Sequence, residues 1–473
     1  MSFNLKRFSN RALLIAVGTG SGVFLTTAHV GSVIATLPVL SNSFAGGSAT
    51  TGHSILTVYF LVLSALLLLF GRMSDARGAR AIYLAGLCIF MVASTLCGLA
   101  LSWRALMLFR ACQGVGAAML SATATAIVGK SLTAREKGGA LGCQAGITYL
   151  GLIVGPILGG YLVSFLSWRF VFFVNVPIGL VALWIAYNCI PFDRGTGPPD
   201  RLRVWGAAIS WSAALISVLL ALEGREIWLW DPRLSWIALG LAVFCFWLFW
   251  RAENGAPKPL LPIELFRSCP FSCATLNEAI YYSCLYAAGF LAPLFLIRFR
   301  GLDPLRVGAL FTMQAVARAA TAPISGMFVD RVGTRAPVVL GISLLGAALF
   351  SLSNIDAKTS VIHLALSLIV LGSAAGVFVP ANGAALLSSV GPEHTGSAVG
   401  LLSTARNVGM AIGTASAATA YSAAARAGLT ASLHAIHIGF STAGIVTLLM
   451  LFIPFVEHQL QRQLRTSLDC TRA

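Results

Sequence analysis

A few ionisable and hydrogen-bonding side chains lie inside long apolar stretches of this sequence, where they could bind a proton or a solute. Glu278 is the only acid well inside such a stretch. His29 is a second candidate proton carrier, since histidine titrates in the physiological pH range. Charged groups inside apolar segments usually face a cavity or a partner, because exposing them to lipid is costly. The other candidates for a proton-coupling or substrate cavity are Arg110, Gln113, Arg318, Asn382, Arg406 and Asn407.

Each charged candidate also has an ordinary structural explanation, and the sequence leaves both explanations open. Glu278 could be a packing residue that hydrogen-bonds to its neighbours. His29 could be a neutral histidine that packs between helices. Arg110, about one turn into its apolar stretch, could extend its guanidinium to the outer membrane surface. Arg318 and Arg406 could be structural residues that are paired elsewhere.

The stretches that hold these residues are long enough to cross a membrane. The sequence is 57% hydrophobic and 10% charged, with a mean hydropathy of +0.84, whereas soluble domains are about 25% charged. Since a spanning helix needs about 20 apolar residues, we predict an all-α integral membrane protein with 14 transmembrane helices. The predicted helices lie near residues 12–38, 53–70, 81–101, 105–128, 139–163, 171–190, 205–222, 234–250, 271–297, 307–328, 336–353, 361–388, 395–420 and 434–456.

The distribution of Lys and Arg predicts the orientation of the chain. With the N-terminus in the cytoplasm, most of the 32 Lys and Arg residues fall at cytoplasmic ends and loops, as the positive-inside rule requires. An even number of helices then places both termini in the cytoplasm, and we expect a bacterial inner (plasma) membrane. The net charge of +16 follows from this asymmetry and from attraction to anionic lipid, so no nucleic-acid partner is implied.

A ten-residue motif occurs twice and indicates an internal repeat. GRMSDARGAR starts at Gly71 and GMFVDRVGTR at Gly326, and both fit Gly-x3-Asp-x2-Gly-x-Arg. The copies lie 255 residues apart, about eight helices, whereas two six-helix halves would be offset by six. We therefore predict a six-helix bundle over 12–190, two inserted helices with cytoplasmic flanks over 191–270, and a second six-helix bundle over 271–456. Parallel repeats of this kind are common in transporters, with the substrate site where the repeats meet.

Two motifs are candidate gating elements. In the repeated motif, glycines allow a tight turn and the acid can face helix N-termini; an ordinary basic turn is the alternative. In GLIVGPILGG, glycines recur every four residues and remove side chains from one helix face, while the proline permits a bend; plain helix packing is the alternative. The candidate gating residues are Gly71, Asp75, Gly78, Arg80, Gly151, Gly155, Pro156, Gly159, Gly160, Asp330 and Arg331.

Six segments in order along the whole chain resemble the major facilitator superfamily, specifically its fourteen-helix drug:proton antiporter branch. Four of them, besides GRMSDARGAR and GLIVGPILGGYL, are LMLFRACQGVGAA (106–118), WRFVFFVNVPIG (168–179), PLLPIELFR (259–267) and ARNVGMAIG (405–413). The resemblance implies that the repeated motif latches a cytoplasmic gate and that Arg110 serves proton coupling. It also implies that GLIVGPILGG, a mark of the antiporters, seals the two halves together as they move.

Two positions depart from the family pattern. Relatives carry an Asp in helix 1 where this chain, aligned on its Leu37-Pro38, has His29. Proton coupling of the family type would therefore rest on a histidine here. The Arg that follows the motif Asp is replaced by Ala76 in the first copy, whereas Arg331 keeps it in the second.

These features predict a secondary active transporter that exports amphiphilic, drug-like molecules by proton antiport with alternating access. Its expected partners are a small-molecule substrate, protons and the lipid bilayer. We expect neutral or anionic substrates to be preferred, because three arginines accompany one acid in the apolar stretches. A metabolite exporter or a facilitator without proton coupling is the first alternative, and a non-transporting membrane receptor is an alternative of another class. The sequence does not address a periplasmic adaptor or an outer-membrane channel.

Enzymatic chemistry is not predicted for this chain. The sequence contains no HExxH motif, no Walker loop and no plausible nucleophile–base set. The ten cysteines are scattered without a CxxC pair, which argues against a zinc or disulfide framework. We therefore expect no cofactor and no metal.

Overall fold

The chain is helical throughout the computed structural model, which describes residues 10–43, 52–193, 202–228, 231–254, 265–266, 268–356, 358–390, 395–425 and 428–453. Within these ranges lie fifteen α-helices and a π-helical turn at Phe295–Phe299. The α-helices are α1 (Asn10–Asn42), α2 (Ser54–Arg77), α3 (Ala79–Gly98), α4 (Trp103–Ser131), α5 (Ala134–Phe165), α6 (Phe170–Phe173), α7 (Asn175–Cys189), α8 (Leu202–Trp228), α9 (Pro232–Glu253), α10 (Cys269–Leu294), α11 (Pro304–Val332), α12 (Arg335–Ser353), α13 (Val361–Ser388), α14 (Thr395–Ala425) and α15 (Leu429–Leu449).

These helices confirm the predicted fold class. Each predicted apolar stretch coincides with one helix, except that the sixth is divided at Val174 into α6 and α7. Among the described residues, eleven segments are long and apolar enough to cross a membrane. The predicted stretches outside that group are α8, α11 and α14, and the last two carry Arg318 and Arg406 near their middles.

Polar side chains fix several helix starts. Oγ of Ser102 accepts the backbone N–H of Ala105 at the start of α4, at 3.2 Å. Thr133 and Glu136 form a reciprocal capping box at the start of α5. Such caps satisfy backbone N–H groups that the helix itself leaves unpaired. The starts of the two helices that carry Arg110 and the GLIVGPILGG motif are therefore set by local sequence.

The chain divides into two compact units. Unit 1 comprises Met1–Leu260 and Leu296–Thr312, and unit 2 comprises Leu261–Phe295 and Met313–Ala473. In unit 1, α1 packs against α5, α4 packs against α2 and α3, and the inserted pair α8–α9 joins through α2. In unit 2, α10 packs against α14, and α12 packs against α13 and α15. The domain borders after residues 190 and 270 stay a prediction.

Both units pair the first and fifth helices of a half through glycines, in keeping with two repeated halves. In unit 1, Gly151, Gly155 and Gly159 of α5 lie against the backbone of α1. In unit 2, Gly409 and Gly413 of α14 lie in the same way against the backbone of α10. A Cβ atom at any of these positions would collide with the facing helix, so the close approach requires glycine.

The turn between α2 and α3 is shorter than the sequence suggested. Helix α2 continues to Arg77, so Gly71 lies inside the helix with open space around it. The chain reverses at Gly78, which has φ of +96°, a conformation that glycine adopts without strain. The predicted role in the turn therefore holds for Gly78 and is wrong for Gly71, because Arg72, Met73, Ala76 and Arg77 are good helix formers that continue α2.

Candidate functional site

Five polar side chains from four helices form a closed ring of contacts inside unit 1. We call His29, Ser94, Arg110, Gln113 and Asn175 the Arg110 cluster. Nη1 of Arg110 donates to Oε1 of Gln113 at 2.6 Å and lies 2.8 Å from Nε2 of His29. Nε2 of Gln113 donates to Oγ of Ser94 at 2.7 Å. The amide nitrogen of Asn175 closes the ring, 3.4 Å from that Oγ and 2.9 Å from Nδ1 of His29.

Arg110 is fully buried and does not reach the membrane surface. Its exposed fraction is 0%. Its Nε donates to the carbonyl of Ile55 at 2.9 Å, and its Cζ lies 4.6 Å from the centroid of the Tyr59 ring. Nη2 is buried without a hydrogen-bond partner in the part of the chain that the structure describes. The guanidinium is thus stabilised by neutral acceptors and an aromatic face, rather than by a carboxylate among these contacts.

His29 acts as a hydrogen-bond acceptor in this ring. A guanidinium offers only donors, so Nε2 must accept from Arg110 and the imidazole proton resides on Nδ1. The amide of Asn175 can meet that proton with its oxygen after a half-turn of the amide group. The rings of Phe90 and Phe172 flank the imidazole, with centroids 5.7 and 5.4 Å away. A second proton on this histidine would take the acceptor away from Arg110.

Glu278 forms a buried ion pair in unit 2. Its Oε1 accepts from Nε and Nη2 of Arg406, at 2.7 and 2.6 Å. Its Oε2 accepts from Nδ2 of Asn382 at 2.9 Å, and the same amide donates to the carbonyl of Ala274. The Glu278 side chain is 0% exposed, whereas the Arg406 side chain is 30% exposed. Both carboxylate oxygens are therefore occupied, and we call these three side chains the Glu278 cluster.

Tyr282 brings a second arginine close to this cluster. Nη2 of Arg318 donates to Oη of Tyr282 at 3.0 Å. Cζ of Arg406 lies 5.1 Å from the centroid of the same ring. Two guanidinium groups, one from α11 and one from α14, therefore border one tyrosine of α10.

The glycines of α5 form a close seam with α1. A Cβ at Gly155 would collide with the carbonyl of Ala28, and one at Gly159 would lie 2.6 Å from Cα of Ser32. Oγ of Ser32 donates to the carbonyl of Gly155 at 2.6 Å. The face without side chains that the sequence predicted therefore exists, and it contacts α1.

Pro156 lies inside α5 without ending the helix. Its ring faces Gly31 of α1, where a Cβ would come within 2.9 Å of Cδ, and its carbonyl faces Gly308. Gly160 lies in the same way against the backbone at Pro304. Small residues thus surround the proline, and the predicted bend and sliding motion stay predictions.

A carboxylate from a distant segment holds the turn at Gly78. Oδ2 of Asp193 accepts the backbone N–H of Ala79 at 2.6 Å, and Oδ1 accepts that of Arg80 at 3.0 Å. Nη2 of Arg80 donates to the carbonyl of Tyr187 at 2.7 Å. The sequence predicted that an acid would face a helix N-terminus here, but Asp193 is the acid that does so at α3.

The two copies of the repeated motif can be compared only in part. The side chain of Asp75 lies outside the described residues. In unit 2, Asp330 and Arg331 are exposed in the last turn of α11, which ends just before Gly333 at φ +81°. The backbone break is therefore repeated, while the latch role of these residues stays a prediction.

Comparisons with known proteins identify the family. A sequence profile of the Major Facilitator Superfamily matches residues 19–262 and 274–467. The chain belongs to the Major Facilitator Superfamily. It is similar to the riboflavin transporter RibZ of Clostridioides difficile, with 28% identity over 76% of this chain and 78% of that protein. It is also similar to the methylenomycin A resistance protein of Streptomyces coelicolor, with 32% identity over 84% of each.

A solved structure extends the likeness to the fold. The crystal structure of the peptide transporter POT in complex with sulfate has a TM-score of 0.70 and covers 94% of each chain, at 15% identity. At that identity the likeness concerns the fold alone. Membership in the superfamily makes this protein a multi-pass membrane transporter, and its similarity to a resistance protein agrees with the predicted drug-efflux branch.

The structure of this superfamily member gathers most of the predicted cavity residues into two clusters. His29, Arg110 and Gln113 meet in unit 1. Asn407 takes no part in the hydrogen bonds of the Glu278 cluster. Sequence reasoning missed Ser94 and Asn175, although the latter lies in the family-like segment WRFVFFVNVPIG. Within the described ranges, no three His, Cys, Asp or Glu side chains converge as metal ligands do.

Proposed function

We propose that this transporter is a secondary active exporter that exchanges amphiphilic small molecules for protons by alternating access. The contact between Nε2 of His29 and Nη1 of Arg110, at 2.8 Å, carries the proposal. A proton bound at Nε2 removes the acceptor and sets two cations against each other in a medium of low dielectric constant. The ring then has to open, which gives α1 and α4 two arrangements that depend on one proton.

The proposal includes a location and partners. The Lys and Arg distribution supports cytoplasmic termini, and the similarity to bacterial transport and resistance proteins supports a bacterial inner membrane. Protons and one small-molecule substrate are sufficient partners for the exchange. The similarity to an antibiotic resistance protein supports export of drug-like compounds.

The proposal is tested in proteoliposomes with an imposed pH gradient and a panel of amphiphilic compounds. Proton movement and compound movement are followed together for the wild type and for His29→Gln. The Gln side chain offers Arg110 an amide oxygen, so the ring can persist without a titratable group. We expect compound-driven proton flux to fall to background in this variant while compound binding persists.

A surface histidine supplies the matched control. His363 lies near the start of α13, beside Oγ of Ser351 at 3.1 Å, outside both clusters. His363→Gln should leave proton flux unchanged. If proton flux in His29→Gln equals that of the wild type, proton coupling resides elsewhere. If the wild type moves no compound of the panel, the exporter proposal is contradicted.

A metabolite transporter without proton coupling is the alternative that specific observations favour. His29 occupies the place of the family acid, its hydrogen-bond partners are consistent with a neutral ring, and one relative is named a riboflavin transporter. The same assay separates the two proposals. Movement of a compound by the wild type with no accompanying proton flux would favour the alternative.

A further inference from the structure

Arg110 sets the direction of the hydrogen bonds in its cluster. A guanidinium has only donors, so Oε1 of Gln113 and Nε2 of His29 both accept from Nη1. The amide nitrogen of Gln113 then faces Ser94 and donates to its Oγ at 2.7 Å. The hydroxyl group of Ser94 in turn donates to the carbonyl of Phe90 at 2.7 Å. Because Nε2 of His29 accepts, the proton of the neutral imidazole resides on Nδ1 and needs an acceptor there.

Asn175 is the member of the cluster whose orientation Arg110 does not set. One end of its amide lies 2.9 Å from Nδ1 of His29, and 3.4 Å from both Oγ of Ser94 and the carbonyl of Val171. If this end is the nitrogen, its N–H groups oppose the N–H of His29. If it is the oxygen, the short contact becomes a hydrogen bond. The two contacts given up are longer than the usual range of about 2.7–3.2 Å for N–H···O, so the oxygen belongs at this end.

The contact between Asn175 and His29 lies away from bulk water. The two residues are 2% and 1% exposed. Helices α4, α5, α6 and α7 pack against α1, and among their described side chains Arg110 is the charged group that acts on His29. Tyr59 and Cys97 are titratable neighbours of that guanidinium. The proton on Nδ1 therefore has to find its acceptor inside the protein, because a buried donor without one is costly.

We propose that Asn175 is a positioning residue for His29. Its side-chain oxygen holds one proton on Nδ1, so that Nε2, which faces Arg110, is the nitrogen that gains and loses the transported proton. This role is needed once a proton on Nε2 has opened the contact with Arg110, because the guanidinium then no longer selects the tautomer. If Nδ1 lost its proton instead, an N–H would remain toward Arg110 and the contact could not re-form. The inference rests on the proposed function for the transported proton, whereas the tautomer of the neutral ring can be measured without it.

Arg110→Leu isolates the contribution of Asn175, because it removes the other group that selects the tautomer. We expect the Nδ1–H tautomer of His29 to predominate in this variant. In the double variant Arg110→Leu/Asn175→Leu, the Nδ1 proton loses its acceptor, and Oε1 of Gln113 is released from Arg110 to accept from the other side of the ring. The proton should then move to Nε2 in a large share of the molecules.

Asn175→Asp tests the same role in the presence of Arg110. Aspartate has the shape of asparagine but only acceptors, so it keeps the bond from the Nδ1–H of His29 and loses any bond that the amide nitrogen donates. Its negative charge also favours a doubly protonated ring. Compound-driven proton flux in proteoliposomes should therefore persist, with its pH profile moved upward by about one pH unit. Asn175→Leu should instead lower the number of protons moved per compound several-fold.

The tautomer is measured by solid-state NMR on the full chain in lipid bilayers, with ¹⁵N- and ¹³C-labelled histidine. Of the seven histidines, the one whose signal is missing in His29→Gln is His29. Correlation of each ring nitrogen with its neighbouring carbons distinguishes Nδ1 from Nε2, and coupling to hydrogen shows which of them carries the proton.

The other asparagine of α7 supplies the matched control. Asn188 is exposed and donates to the carbonyl of Trp184 at 2.7 Å, away from the Arg110 cluster. Asn188→Leu and Asn188→Asp should change neither the tautomer of His29 nor the pH profile of proton flux. A change in these controls equal to that at position 175 would mean that any altered asparagine of α7 disturbs the ring, and would overturn the positioning role.

The remaining outcomes separate this inference from the proposed function. A proton on Nε2 in the wild type would overturn the positioning role, and so would Nδ1–H alone in the double variant, which would assign the role to the carbonyl of Val171. An unmoved pH profile in Asn175→Asp would overturn it as well, and this variant decides if those without Arg110 do not fold. Compound-driven proton flux that is indifferent to position 175 would leave the exporter standing. The expected tautomers without any proton flux in the wild type would support the placement of the proton and contradict the exporter.

Discussion

Nε2 of His29 lies 2.8 Å from Nη1 of Arg110 in the interior of unit 1, and both side chains are at most 1% exposed. The hydrogen-bond partners that surround this contact are neutral: Ile55, Ser94, Gln113 and Asn175. A buried arginine is more often balanced by a carboxylate. Here the balance comes from carbonyl, amide and imidazole acceptors, so the charge of the Arg110 cluster is sensitive to the residue at position 29.

A carboxylate at position 29 should change which ligands the protein prefers. The His29→Glu side chain reaches about as far as Nε2 does, so it should pair with Arg110 and remove the net positive charge of the cluster. We expect the ratio of cation to anion affinity to rise about tenfold, or about 1.4 kcal/mol. The ratio is measured by equilibrium binding of 2-naphthylmethylammonium and 2-naphthoate to the full chain in nanodiscs of neutral lipid, and His29→Gln is the uncharged control. An unchanged ratio in the Glu variant would mean that substrates do not sense this cluster.

Removal of the Asp193 carboxylate should affect both stability and transport. Asp193→Ala leaves the N–H groups of Ala79 and Arg80 without their acceptor, at a cost of about 1 kcal/mol for a lost cap. Because these residues start α3 directly after the turn at Gly78, transport should fall several-fold. Thermal unfolding in detergent and uptake into proteoliposomes measure the two effects.

Asp231→Ala is the control for the cap. Asp231 accepts the N–H of Arg233 at the start of α9, in the inserted pair and away from the turn. This variant should lose some stability and keep its transport rate. Equal transport losses in the two variants would show that any weakened helix start impairs the protein.

A methyl group in the α5 seam should force α1 and α5 apart. Gly155→Ala brings a Cβ against the carbonyl of Ala28, which we expect to lower the free energy of unfolding by about 1–3 kcal/mol, as overpacking does. Gly142→Ala and Gly146→Ala, in the same helix with open space at the Cβ position, should be neutral or slightly stabilising because alanine favours helix. Unfolding midpoints that are equal for the three variants would contradict the close seam.

Replacing either residue of the Glu278–Arg406 ion pair should lower the free energy of unfolding, but by different amounts. Arg406→Gln leaves a carboxylate that is 0% exposed without its cation, a loss of about 3–5 kcal/mol for a broken buried pair. Glu278→Gln leaves a guanidinium that is 30% exposed and can be hydrated in place, so it should cost less. Unfolding in detergent at fixed pH measures both, and a greater loss in Glu278→Gln would mean that the exposed edge of Arg406 does not reach water.

The sequence predicted the helices well because membrane-spanning stretches can be recognised from their apolar composition alone. Features that depend on a few residues at helix ends escaped it, among them the break at Val174, the extension of α2 to Arg77 and the π-helical turn at Phe295–Phe299. The ionisable residues of the two clusters, with Gln113 and Asn382, could be predicted from the sequence because charged and large polar groups are conspicuous in apolar stretches. Which of these residues contact one another could not be predicted. Glu278 and Arg406, for example, are 128 residues apart, and their contact depends on the rotation and depth of two helices.

Asp193 shows where such prediction ends. It lies 114 residues after Ala79, beyond the end of α7, and nothing in its local pattern distinguishes it from other loop acids. Its role comes from accepting two backbone N–H groups. Nearly every residue carries such a group, so the sequence does not mark which acid will bind them. Ser94 and Asn175 escaped for a related reason, since small polar side chains are common in helix contacts and only the neighbouring Arg110 gives these two a role.

The glycine seam also links this protein to the thickness of its membrane. The apolar parts of α1 and α5 have 31 and 27 residues, so they are about 46 and 40 Å long, beyond the hydrocarbon core of about 30 Å. A long helix relieves such hydrophobic mismatch by tilting. Because the backbones of α1 and α5 are in contact at Gly151, Gly155 and Gly159, the two helices have to tilt together. Bilayers with longer or shorter acyl chains should therefore reorient the pair as one body and carry His29 with it.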